Sequence, residues 1–107
     1  MGLDELAARI GERRGGAFLV TVGADGSPHV ASVRPEWRDG LLAVPAGRTS
    51  RTNAARHPRV TLLWPGADGE HALLVDGLVD GLVDGDAAEI AARLDVHPVH
   101  AVLHRTS

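Results

Sequence analysis

The chain has no cysteine, no lysine and no tyrosine among its 107 residues. Without cysteine there is no disulfide, no thiolate nucleophile and no cysteine-bound zinc. Without lysine there is no Schiff-base chemistry, and without tyrosine no phenol serves as acid or base. The aromatic residues are Phe18, Trp37 and Trp64 alone. Proteins that hold single-stranded nucleic acid by base stacking need more such platforms. The formal charge of −3 also disfavours non-specific nucleic-acid binding. No run of about twenty apolar residues is present, so no membrane-spanning helix is expected. Asp4, Glu5 and Arg9 interrupt the first apolar pattern, which argues against a secretory signal. A cytoplasmic location is the expectation.

All eleven basic residues are arginine, as a GC-rich coding bias would produce. The length corresponds to one domain, residues 1–107. A domain this small buries a modest share of its surface, so association with a second copy is a natural source of stability.

Leu3, Leu6, Ala7 and Ile10 recur at helical spacing, so residues 3–14 read as an amphipathic helix ended by Gly15-Gly16. Residues 17–22 read as a strand. Ala24-Asp25-Gly26-Ser27 is a turn signal, and residues 28–34 form the second arm of a hairpin. Pro35 interrupts, Arg38-Asp39-Gly40 turns the chain, and residues 41–44 form a third strand. A short helix is expected over 50–56, a fourth strand over 59–64, and a loop at 65–69.

Valine-aspartate-glycine then repeats at 75, 79 and 83 with a spacing of four. The ligand pattern of a calcium loop is missing there. A long twisted strand with glycine bulges, or two strands with a turn, is expected instead. Asp86 can cap a helix running through Leu94, with Ala87, Ile90, Ala91 and Leu94 on one face, and residues 99–104 read as a closing strand. Hairpin signals outnumber crossover-length helices. The fold class is therefore mainly β: a small, antiparallel split β-barrel with short flanking helices.

The segment from Gly47 to Pro58, GRTSRTNAARHP, carries the strongest chemical signal. It follows a short apolar strand, offers Thr49 or Ser50 as a helix cap, and places Arg48 and Arg51 beside that cap. A helix start presents unpaired N–H groups and a partial positive charge. Two guanidinium groups there make a seat for a phosphate. Arg51 in the first turn opposes the helix dipole, a conflict that a bound dianion would reverse.

A second candidate is the run Val30-Ala31-Ser32-Val33-Arg34-Pro35, whose small residues leave room for a flat ring beside the backbone. Trp37 is a possible ligand contact or an ordinary anchor. On a strand His100 and His104 share one face and His97 points to the other, and no acidic residue joins them at ligand spacing, so no metal site is expected. No G-x-S-x-G elbow, Walker loop or G-x-G-x-x-G occurs. Any redox chemistry would come from a bound cofactor.

Several motifs taken together resemble the pyridoxamine 5'-phosphate oxidase-like, FMN-binding split-barrel family. They are Asp25-Gly26-Ser27-Pro28-His29-Val30, Asp39-Gly40-Leu41-Leu42, Thr49 to Asn53, and His57-Pro58-Arg59-Val60-Thr61-Leu62, with Ala101-Val102-Leu103-His104-Arg105 at the end. The resemblance implies a homodimer with two ligand sites between subunits and a bound FMN or deazaflavin. It implies that Arg48, Thr49, Ser50 and Arg51 hold the phosphate side. Val33, Arg34 and Pro35 would lie along the ring system, with Trp64 from the neighbouring strand.

Members often carry an arginine-lysine pair before the inserted helix, and Ser50 takes the lysine's place here. The extended C-terminal region of the vitamin-processing oxidases is absent, so pyridoxamine phosphate oxidation itself is not expected. The expectation is an oxidoreductase-like protein acting on a small-molecule redox substrate, without nucleic-acid or membrane partners. The alternatives are a non-catalytic flavin or haem carrier or sensor, and a ligand-free dimeric interaction protein.

Overall fold

The computed structural model describes residues 1–13, 16–66, 71–85 and 92–105. Helix α1 spans Leu3–Gly11, strand β1 Ala17–Val22, β2 Pro28–Val33, β3 Glu36–Arg38 and β4 Leu41–Pro45. Helix α2 spans Arg48–Arg56, and β5 Arg59–Trp64, β6 His71–Val83 and β7 Arg93–Arg105 complete the elements of the described residues. The strands form one antiparallel sheet in the order β2-β1-β5-β6-β7-β4-β3. The end strands β2 and β3 do not pair with each other, so the barrel is split rather than closed.

Alternation along the strands builds the interior. Ala17 and Leu19 of β1, Val33 of β2, Leu42 and Val44 of β4, Val60, Leu62 and Trp64 of β5, Leu73 and Val75 of β6, and Leu94 and Val96 of β7 form one buried cluster. Strands from both ends of the sheet share that cluster, so the sheet wraps around it. Leu6 of α1 and Ala54 of α2 enter the same core.

The hairpins follow their turn residues. Arg38 pairs with Leu41, leaving Asp39-Gly40 as a two-residue turn with φ of 49° and 83°. Positive φ at both positions is the primed geometry that suits strand twist. It also creates β3, a three-residue strand that the interruption at Pro35 hides in the sequence.

The valine-aspartate-glycine repeat forms a single strand with irregularities, the first of the two expected forms. The register between β6 and β7 shifts between Asp76 and Gly77 and again between Val79 and Gly81. Val99 is the extra residue on β7 and Asp80 the extra residue on β6. An extra residue reverses which face the following side chains take. Val79 pairs with buried Val96 and Leu82 with buried Leu94, so both lie on the inner side of the sheet, where Leu82, beyond the core, stays 43% exposed; Leu78 pairs with His97 on the outer face.

Three expectations need correction. Leu94 does not end a helix: it lies inside β7, which begins at Arg93 rather than at 99, and pairs with Leu82. The rest of that helix, 86–91, falls outside the described residues. The cap of α2 is Gly47, with extended φ −73° and ψ 176°, and neither Thr49 nor Ser50 caps it. Starting the helix earlier carries Ser50 into the interior, where it is buried. Finally, the bulge at Val99 puts His97 on the same sheet face as His100 and His104, because the partners Leu78, Asp76 and Ala72 alternate regularly along β6.

Candidate anion-binding site

Helix α2 has two faces at the spacing of neighbouring helical turns. Ser50, Asn53 and Ala54 face the core, where the Asn53 side-chain amide donates to the Thr21 hydroxyl at 3.1 Å. Arg48, Arg51, Thr52 and Ala55 line an open cleft of about 660 Å³, completed by Leu82 and Asp84 at the end of β6. The β6 bulge is what turns Leu82 toward this cleft.

Arg51 is held in place by its own chain. Its Nη1 donates to the Ala46 carbonyl at 2.6 Å, and its backbone N–H closes the first turn on Gly47. Among the described residues its Nε is buried without a hydrogen-bond partner. Its counter-charge among the described residues is Asp84, whose Oδ1 lies 3.7 Å from Nε, an ion-pair distance but too long for a hydrogen bond. The Arg51 side chain is 18% exposed and that of Asp84 is 93% exposed, so the cation is fixed and the carboxylate is free to move.

A guanidinium cannot shed its proton, so a buried Nε–H without an acceptor carries a standing cost. An oxyanion entering the cleft would remove that cost. The backbone N–H groups of Arg48, Thr49 and Ser50 precede the first intrahelical bond, so the positive end of the helix dipole lies at the Arg48 end of the cleft. The residues present therefore fit the phosphate end of a cofactor.

The residues picked from the sequence divide into three groups. Arg48 and Arg51 come together in the cleft. Thr49 is exposed and does not line it, and Ser50 is buried on the opposite side of α2. Val33, paired with Ala17, and Trp64 both lie in the core, while Arg34 is exposed and Pro35 half-buried beyond the end of β2. Thr52 and Ala55, which follow Arg48 by four and seven positions, are not among the site residues the sequence assigns, although both lie in the same segment. Leu82 and Asp84 could be found only through the bulge. Among the described residues, no three His, Asp or Glu side chains gather as a metal would require. No helix is long and apolar enough to cross a membrane among those residues.

No protein-family model matches the chain. Two uncharacterized proteins, of Mycobacterium bovis and Mycobacterium tuberculosis, are each 38% identical to it over 103 residues, covering 83% of this chain and 70% of theirs. A putative pyridoxamine 5'-phosphate oxidase from Listeria innocua superimposes with a TM-score of 0.75 at 17% identity, covering 94% of this chain and 96% of that one. An FMN-binding protein from Syntrophomonas wolfei gives 0.74 at 11% identity, over 94% and 84% of the two chains. An F420 reductase gives 0.69 at 23% identity, over 85% and 91%. The fold is thus the pyridoxamine 5'-phosphate oxidase-like split barrel, as the motif resemblance implies. The chain belongs to the same family as the two mycobacterial proteins.

Proposed function

We propose that the protein binds FMN by its phosphate end and acts as an oxidoreductase-like flavoprotein on a small-molecule redox substrate. The observation that carries this reading is the buried, unpartnered Nε of Arg51 in a cleft that also holds Arg48. Arg48 and Arg51 would grip the phosphate, with Thr49 and Ser50 contributing backbone N–H groups rather than hydroxyls. The ring system would lie along 33–35, where Val33 and Trp64 back the strand from within the core. Bound flavin supplies the electron or hydride transfer; the chain supplies attachment and orientation.

A homodimer is part of the same proposal. Phe18, Val30, Leu78 and Val99 are large apolar residues, each 40% or more exposed, on the outer side of the sheet. A second copy covering that face would bury them. The cytoplasmic location expected from the sequence belongs to this proposal too.

The test is the absorbance spectrum of the purified protein, followed by titration with FMN. Flavin bands, or quenching of FMN fluorescence on binding, are the expected result. A haem band, or no chromophore and no quenching, would overturn the reading. A deazaflavin in place of FMN is the second reading, supported by the likeness to the F420 reductase. Stronger binding of the deazaflavin in parallel titrations would favour it. A flavin that is reduced without passing electrons to any acceptor would point to a carrier.

A further inference from the structure

The cleft contains its own anion. Arg48 and Arg51 bring two positive charges, and Asp84 returns one negative charge at the lip, so the lining residues sum to a single positive charge. Arg51 is pinned by the Ala46 carbonyl and cannot follow Asp84 outward. Asp84, standing 3.7 Å from the unpartnered Nε, occupies the approach an incoming oxyanion would use.

We infer that Asp84 sets the charge preference of the cleft, holding back dianionic phosphate monoesters relative to monoanionic phosphodiesters. This rests on the phosphate-binding reading, and it means that the FMN phosphate, itself a dianionic monoester, binds more weakly than the two arginines alone would allow. The reasoning is Coulombic. A carboxylate beside the bound phosphate repels a dianion twice as strongly as a monoanion at the same position. Removing that charge must therefore help the dianion by the square of the factor by which it helps the monoanion. A monoanion matches the net charge of the lining residues as they stand. A phosphate monoester is largely dianionic above its second pKa of about 6, so the two classes are separated cleanly at pH 8.

The test needs no flavin. The Arg51 Nε–H resonance is followed by NMR at pH 8 and low ionic strength during titration with inorganic phosphate and, separately, with dimethyl phosphate. Wild-type protein is compared with Asp84→Asn, which keeps the size of the side chain and removes its charge. Asp84→Asn should tighten dimethyl phosphate about threefold and inorganic phosphate about sevenfold to tenfold, a solvent-screened effect. Arg51→Ala serves as the control for location, since it should remove saturable anion binding from the cleft, followed there through the backbone amides of Arg48 and Thr52.

An unchanged ratio of the two affinities in Asp84→Asn would overturn the inference, as would the absence of any saturable shift at Arg51 in both proteins. If the anions behave as expected but FMN does not bind, the flavin reading fails and the role of Asp84 stands. If FMN binds and the ratio does not move, the reverse holds.

Discussion

Asn53 and Thr21 are joined across 32 positions of sequence by a buried hydrogen bond of 3.1 Å from the amide to the hydroxyl. It is the polar link that fixes α2 to β1, and so fixes the direction in which Arg48 and Arg51 face. Both residues are almost fully enclosed, with 6% and 0% of their surface exposed. Thr21→Val should leave the amide without its acceptor and lower stability by about 1–3 kcal/mol. Urea unfolding checks this, with the midpoint expected to fall and the slope to stay constant.

Arg51→Ala should weaken FMN at least tenfold, equivalent to about 1.4 kcal/mol for a charged contact. Arg51→Lys should recover only part of the loss, because an ammonium cannot both hold the Ala46 carbonyl and offer a planar fork to a phosphate. Equal affinity in wild type and Arg51→Ala, measured by fluorescence titration, would remove Arg51 from the site.

Gly77 sits opposite Pro98, beside the register shift between β6 and β7. A Cβ built there would collide with Val96 Cγ1 and lie 3.0 Å from the His97 carbonyl oxygen. Gly77→Ala should destabilise the fold by about 1–3 kcal/mol through overpacking. Gly47, where a Cβ meets nothing within 4 Å, is the matched control, and Gly47→Ala should cost less. Thermal melts of the two variants decide between them.

The Ser27 hydroxyl and then the Ser27 backbone N–H hold the Asp25 carboxyl below the ordinary carboxylate range. A depressed folded-state pKa means the turn is supported above the unfolded-state value. That support fades as pH falls through the lower folded-state value. Ser27→Ala should raise the Asp25 pKa, readable from carbon chemical shifts of its carboxyl during acid titration. The effect on stability should be small because the pair is exposed.

Phe18→Asp places a charge on the outer sheet face. If two copies meet there, sedimentation should show dimers in the wild type and monomers in the variant, with unchanged circular dichroism. A wild-type monomer at high concentration would refute the homodimer.

Local signals were legible where local chemistry decides the structure. Arg38-Asp39-Gly40 reads as a turn and Ala17 to Val22, rich in β-formers, as a strand, and the structure follows both. The failures come from long-range pairing. Leu94 fits a helical stripe with Ala87, Ile90 and Ala91, but it also alternates with Val96, and the partner Leu82 on β6 holds it in a strand. Thr49 and Ser50 are good caps by type. The interior accepts Ser50, however, and Gly47 caps adequately, so the helix begins at Arg48. In the site, the two arginines could be read from the sequence. Asp84 could not, because its position depends on an extra residue at Asp80 that only strand pairing reveals.

The paired irregularities of β6 and β7 let one ribbon serve two surfaces. Upstream of Asp80 the even-numbered positions look outward; downstream, Leu82 looks in. Deleting a single residue between Val79 and Gly81 would exchange lining for exterior from that point on, carrying Leu82 away from the cleft while leaving the arginines behind.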